Sequence, residues 1–272
     1  MAGVIYALNG TPLHEGHSGW RTLRDGTQTQ GGITNSLVKV PSPGRPGYRP
    51  APSTYTEQIM VLVVRTPRDR LEELLALCDA ATVISRVGDS TKEAAIEIAS
   101  AIPSGSAVYD AVFDVTITVV IYEGAWRDVD AVTVGPTSVT TPTQAFTMLD
   151  DIGAPVFDMD VFIRGVFDEF TLTDSGGSWL KTTREFTPQA SDRGLLYVGA
   201  TKKAFLAMES NPWVPVSDAS QYIDVSANGG FRLTPELVSG NPANRRVALS
   251  LVTLAQTSTT LRVRAKRRYR MN

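Results

Sequence analysis

The sequence is poor in the residues that carry most covalent cross-linking and much enzyme chemistry. Among 272 residues there is one cysteine, Cys78, and two histidines, His14 and His17. A single cysteine cannot close an intrachain disulfide, which excludes the disulfide-framed secreted scaffolds. Cys78 lies among leucines on an expected helix and reads as a small buried apolar side chain. No Gly-x-Ser-x-Gly elbow, phosphate loop or Rossmann glycine pattern occurs. The longest apolar runs, such as Val61–Val64 and Val119–Ile121, fall far short of the roughly 20 residues of a spanning helix. Residues 1–10 lack the charged and long apolar regions of a secretory leader. The chain is therefore expected to be made in a cytoplasm and to be soluble there.

Strong net charge is also missing. Hydrophobic residues make up 42% and charged residues 20%, with a net charge of −2, which excludes disordered, collagen-like and histone-like chains. The small sum conceals a split. Residues 240–272 carry eight basic residues and no acidic one, whereas the first 239 hold 18 basic against 28 acidic residues, or −10. An acidic body closed by a basic end asks for an explanation.

What is present is β texture with one helix. Val4–Leu8, Ile33–Val40 and the Val/Ile-rich Gln58–Arg65 are expected strands, the first two flanking the Gly/Pro-punctuated run Pro41–Gly47. Thr66 as N-cap and Pro67 as first residue then open a helix with Leu71, Leu74, Leu75 and Cys78 on one face. Within Ala95–Ile102, Ile96, Ile98 and Ile102 mark one face of a strand, although the Ala and Glu content would also suit a helix. Val112–Tyr122 alternates over its whole length, with Val115, Ile117, Val119 and Ile121 on one side. The Thr/Ser/Pro-rich stretch 132–148 reads as a connection, which sets domains of 1–148 and 149–272. Short strands then recur, at Val156–Phe162 and Phe170–Thr173 joined through Arg164-Gly165, and at Leu195–Val198, Tyr222–Val225, Phe231–Leu233, Val247–Leu254 and Thr260–Tyr269. Turn signals between them, such as Ser175–Ser178, point to a sandwich.

Sites are few. His14-Glu15-Gly16-His17 is one residue short of the zincin spacing and lies in a Gly-rich loop, so a structural or solvated role is expected and no metal or cofactor is assigned. Asp158-Met159-Asp160 has an Asp-x-Asp form that is common by chance. In the last strand, Arg262, Arg264, Lys266, Arg268 and Arg270 share one face, which suits either an edge strand guarded by charge or a contact with an acidic partner. Of these we expect edge guarding with a protein contact. Trp179, Trp213 and Tyr222 are the aromatics that could stack on a sugar, against a commoner role as core anchors. No nucleophile–base pair can be named, so no enzyme activity is expected.

The order of features resembles the distal tail proteins of long, non-contractile-tailed bacteriophages. Leu8-Asn9-Gly10 is similar to that family's opening, and Pro43-Gly44-Arg45-Pro46-Gly47 resembles its Pro-Gly-Arg-x-Gly loop, followed by Tyr55. The strand, helix and long strand then come in the family's order. Gly153–Asp158, Phe162–Gly165, Thr173–Ser178, Trp213 and the basic end with Tyr269 continue the likeness, which spans essentially the whole chain. The Thr-rich stretch 137–148 is long for the family's linker, and the histidine loop has no counterpart. The resemblance implies a mainly β fold: an N-terminal ring-forming domain like a tail-tube sandwich with a helix, then a galectin-like β-sandwich, with the last strand able to return to the ring domain. It implies a structural virion protein at the tail tip, forming a homo-hexameric ring that joins the tail tube protein to the tail-tip hub and receptor-binding proteins. Phage DNA would pass through the lumen without sequence-specific binding, and no membrane insertion is implied. The alternatives are a tail tube protein, which differs in copy number, or a carbohydrate-binding module contacting host surface glycans.

Overall fold

The computed structural model describes residues 5–15, 19–28, 35–36, 39–41, 48–50, 54–55, 58–105, 111–187, 192–226, 230–253 and 255–269. The chain divides into two compact units, residues 1–129 with 270–272, and residues 130–269. The class is mainly β with α1, Leu71–Ala80, as the one α-helix among the described residues.

The first unit begins with a hairpin whose turn is dictated by two residues. Strands β1 (Tyr6–Leu8) and β2 (Thr11–Pro12) pair Leu8 with Thr11, leaving only Asn9 and Gly10 between them. Both have positive φ, 47° and 82°, the backbone of the Asn-Gly hairpin turn. Strand β3 (Arg21–Gln28) follows, then the short ladders of β4 (Asn35–Ser36) with β7 (Thr54–Tyr55) and β5 (Lys39–Pro41) with β6 (Tyr48–Pro50). Next come β8 (Gln58–Pro67), α1, β9 (Val83–Arg86), β10 (Asp89–Ser104), β11 (Val112–Ile121) and β12 (Trp126–Asp128). The main path runs β2-β1-β9-β10-β11-β8-β3. The Pro-Gly-Arg run and His17 lie outside the described residues.

Alternation decides the core of this unit. Met60, Leu62 and Val64 of β8 and Val115, Ile117, Val119 and Ile121 of β11 are buried, and Leu74 and Cys78 of α1 join them. Two expectations need correction. Thr66 is no helix cap: it is fully buried in β8, pairs with Phe113, and a 3₁₀ turn at Arg68–Arg70 precedes α1. A β-branched residue opposite a phenylalanine gains more from the sheet than from a cap. The region 95–102 is strand, and a bulge between Ile98 and Ser100 reverses its facing. Ile102 therefore points away from the core and is 61% exposed.

The second unit is a sandwich. Its first sheet runs β13 (Val132–Ser138), β24 (Ala255–Ala265), β15 (Asp160–Asp168), β18 (Arg193–Val198), β19 (Lys203–Met208) and β20 (Ser217–Asp218). The second runs β14 (Thr143–Asp150), β23 (Asn241–Val252), β16 (Thr171–Asp174), β17 (Trp179–Thr182) and β21 (Ile223–Val225), with β22 (Glu236–Val238) on β23. Val161, Ile163, Leu195 and Tyr197 from the first sheet meet Phe146, Leu172, Leu180, Leu249 and Leu251 from the second in one core.

The stretch 132–148 is thus no connection: most of it forms β13 and β14. Threonine suits the solvent side of a strand, while Phe146 and Met148 supply the buried side. Arg164-Gly165 likewise lies inside β15, at a bulge, rather than between strands. Phe231–Leu233 contributes only an isolated bridge, Leu233 to Val156.

Candidate assembly surfaces

The outward face of β3-β8-β11-β10 is the unusual surface of the first unit. Register places Leu23 beside Val63, Val63 beside Thr116 and Thr116 beside Ile102. The neighbouring rows hold Val61 with Thr118 and Ser100, then Ile59 with Val120. Ile59 is 54% exposed. Charges appear only at the ends of this band among the described side chains. Arg21 and the Arg65–Asp114 pair (2.7 Å) close one end, and Glu97, bonded by the Tyr122 hydroxyl, closes the other. The pairing holds the Asp114 carboxyl below its ordinary range, chiefly through the hydrogen bond from Arg65. A sheet with apolar or hydroxyl side chains on both faces presents a smooth, uncharged surface rather than the usual polar exterior.

The first unit is locked at the helix termini. Asn9 donates Nδ2 to the Ala80 carbonyl at 2.8 Å and accepts from the Thr82 and Val83 amides at 3.1 Å each. The Asn of the opening motif therefore fixes the hairpin against the end of α1. At the other end, Arg70 pairs with Glu15 and Glu73 and lies 4.8 Å over the Trp20 ring. His14, next to Glu15, is exposed.

The basic strand β24 is placed differently from expectation. It lies between β13 and β15, so it is not an edge, and charge guarding is not its role. Its outward cations are engaged within the unit. Arg262 pairs with Glu209 at 3.2 Å, and Glu209 also pairs with Arg164 at 2.7 Å. Arg264 gives both Nε and Nη2 to Asp160 Oδ2, at 3.1 and 2.5 Å. The alternation breaks after Ala265, and Arg268 turns inward, buried and 3.0 Å from Asp158. Lys266 is half-buried and also engaged, and Arg270 lies outside the described residues. The two carboxylates of the Asp-x-Asp run thus face arginines. Burial raises the Asp160 carboxyl above its ordinary range; Arg264 opposes the shift, and the Asp158 charge adds to it.

Trp179, Trp213 and Tyr222 are not brought together. Trp213 packs on Phe162, Leu196 and Ala207 outside the first sheet, with the Arg264 guanidinium 4.8 Å from its ring. Tyr222 packs against the sandwich core, edge-on to Phe186 at 5.6 Å, and Arg184 covers it at 4.5 Å. Trp179 alone stands on the outer face of the second sheet, with Lys181 Nζ 4.7 Å from its centroid.

One buried carboxylate was not anticipated as more than part of a turn. Asp174 accepts from the Ser178 amide and hydroxyl at 2.7 and 2.8 Å and from the Thr234 amide at 2.9 Å. It ties the Ser175–Ser178 turn to the segment before β22. The Asp-x-Gly-Gly-Ser pattern signals such a turn, but only the fold supplies Thr234.

No protein-family model and no curated protein matches the chain. Solved structures do. The crystal structure of SPP1 Dit (gp 19.1), described as a paradigm of the hub adsorption apparatus in phages infecting Gram-positive bacteria, superposes with a TM-score of 0.55 at 13% identity. The alignment covers 97% of this chain and 99% of that one. A chain of the phage p2 baseplate in its activated conformation with Sr aligns over 100% of both chains at 9% identity, with a TM-score of 0.38. This chain thus shares its fold with SPP1 Dit. No described helix is long and apolar enough to cross a membrane.

Proposed function

We propose that the chain is a distal tail protein, a non-enzymatic adaptor at the tip of a long phage tail. The observation that carries this reading is the fold shared with SPP1 Dit along almost the full length of both chains. In this reading six copies close a ring through their first units, continuing the tail tube protein above and seating the tail-tip hub and receptor-binding proteins below. The uncharged outward face of β3-β8-β11-β10 lines the channel. Its Val, Ile, Thr and Ser side chains offer a passing polyanion no cation to bind, so DNA slides without being held. The second units are galectin-like sandwiches.

Native mass spectrometry of the purified chain, with electron microscopy of assembled tails, tests the reading. A ring of six present once per tail tip supports it. A strict monomer absent from tails overturns it, and a ring repeated along the whole tail makes the chain a tube protein instead. A second test concerns the channel. Val63→Lys should leave ring assembly intact and slow DNA release, because it adds a cation to each wall.

A further inference from the structure

The outer face of the second sheet holds an open groove of about 480 Å³, within the size range of small-ligand sites. Its floor is built by register. Val252 of β23, Thr171 of β16, Lys181 of β17 and Asp224 of β21 stand side by side across four strands. Glu169 and Thr183 close one side of the row. On the other side the next row begins with Ser250, Thr173 and Trp179. All these side chains point away from the core, because Leu172, Leu180, Ile223 and Val225 of the same strands fill it.

The chemistry of this surface is specific. Lys181 Nζ sits between the Trp179 ring, 4.7 Å away, and Asp224 Oδ2, 3.7 Å away. That ion pair is long and half-exposed, so a ligand hydroxyl can displace it at little cost. Carboxylates accept from adjacent hydroxyls, an ammonium donates to them, and threonines do both. The indole supplies an apolar plane at the rim. Strand spacing of about 4.8 Å makes the four-residue row roughly 14 Å wide, room for one or two pyranose rings. The groove holds two carboxylates against one ammonium, which disfavours an anionic ligand.

We propose that this groove binds a neutral hexose unit of a polysaccharide, with Asp224, Lys181 and Thr171 hydrogen-bonding its hydroxyls and Trp179 flanking it. The inference does not rest on the ring-adaptor reading, and either can fail alone.

The test is amide chemical-shift titration of the full chain with glucose, galactose and N-acetylglucosamine, with glucuronate and glycerol 3-phosphate as anionic comparisons. The expected result is a saturable shift confined to β16, β17 and β21 with at least one neutral sugar, at a Kd in the millimolar range. Asp224→Ala and Lys181→Gln should each weaken binding about tenfold or more, the effect of removing a charged hydrogen-bonding partner. Both residues are half-exposed, so their melting temperatures should not move, and they decide the matter even if Trp179→Ala perturbs the sheet. Absence of saturation by every neutral sugar up to about 100 mM would overturn the proposal, since it places Kd beyond any specific site. So would equal or tighter binding of the anionic compounds, or binding that survives both substitutions.

Discussion

Replacing Arg264 with methionine separates an internal role of the basic strand from a role in partner contacts. Asp160 keeps only 14% of its side chain exposed, and Arg264 supplies both of the guanidinium bonds described to its Oδ2. Breaking a fully buried pair from one side costs about 3–5 kcal/mol. Arg264 is itself about a third exposed, so solvent screening reduces this to about 2 kcal/mol. Loss of the stacking over Trp213 adds about 0.5 kcal/mol. The sum, about 2.5 kcal/mol, corresponds to a melting temperature lower by roughly 5–10 °C for a unit of this size. The pH dependence is diagnostic. Burial already holds the Asp160 carboxyl above its ordinary range. An acid raised in the folded state opposes folding at neutral pH, and this opposition fades as pH falls through the folded pKa towards the unfolded one. Without Arg264 the carboxyl rises further, so the deficit of the variant should shrink on acidification and be largest near neutrality. Asp160→Asn in the same chain should recover most of the loss at neutral pH. Urea unfolding of the four species of the double-mutant cycle measures each term. A cost below about 0.5 kcal/mol, in the range of ordinary surface substitutions, or a cost that does not change with pH, would refute the reasoning.

Other residues give equally direct expectations. Asn9→Ala removes four hydrogen bonds and replaces, at φ 47°, a residue whose short polar side chain tolerates the left-handed region with one that seldom enters it. At an exposed site this should cost about 2 kcal/mol by denaturant unfolding. Asn9→Gly, which tolerates the backbone, should cost visibly less, and equal costs would deny the strain its part. Asp174→Ala leaves the Ser178 and Thr234 amides without their carboxylate and should cost about 2–4 kcal/mol; a value near zero would mean that the turn holds itself. Burial, with the Asp79 charge as the smaller cause, pushes the Cys78 thiol up to about 11. A thiol-specific disulfide reagent at pH 8 should therefore leave the folded chain unlabelled and react with one equivalent after unfolding; fast labelling of the native chain would contradict the burial of α1.

Sequence reasoning reached the elements whose signal is local. The alternation of Val115 through Ile121, the Val/Ile run of β8 and the Leu74–Cys78 face of α1 stand where the pattern places them. The turn at Asn9-Gly10 has an equally local signal, two residues that accept positive φ, yet in the sequence they were read only as part of a family-like opening. What escaped depends on partners distant in the chain. Nothing near Ile102 announces the bulge that turns it outward, because the bulge is a property of the β10–β11 pair. Thr/Pro-rich β13 resembles a linker, yet it pairs with β24, more than a hundred residues later, and its register shifts around Pro136, where a missing N–H is tolerated. The three aromatics all lie in or near loops of the second half in sequence, and the fold distributes them over different surfaces. Trp179 has a polar row beside it only because β21 delivers Asp224 next to Lys181.

The charge split itself changes meaning in the fold. Residues 130–269 contain 14 basic and 14 acidic residues, so the unit that holds the basic strand is neutral. Arg246 pairs with Glu236, Arg262 with Glu209, Arg264 with Asp160 and Arg268 with Asp158. The surplus of cations at the end of the chain therefore meets carboxylates contributed by its acidic body. Such a strand exerts little long-range attraction on a polyanion, because its field is cancelled within a few ångströms. It follows that neutralising Arg262, Arg264, Lys266 and Arg268 together cannot by itself report on assembly, since the sandwich would lose internal pairs first. The informative species is Arg264→Met with Asp160→Asn, which removes both charges and restores the balance. If that chain melts like the parent, the strand's pairing is internal, and ring formation, scored by native mass spectrometry, should match the parent at low and high salt. A folded double variant that fails to assemble would instead assign this patch to a contact between subunits.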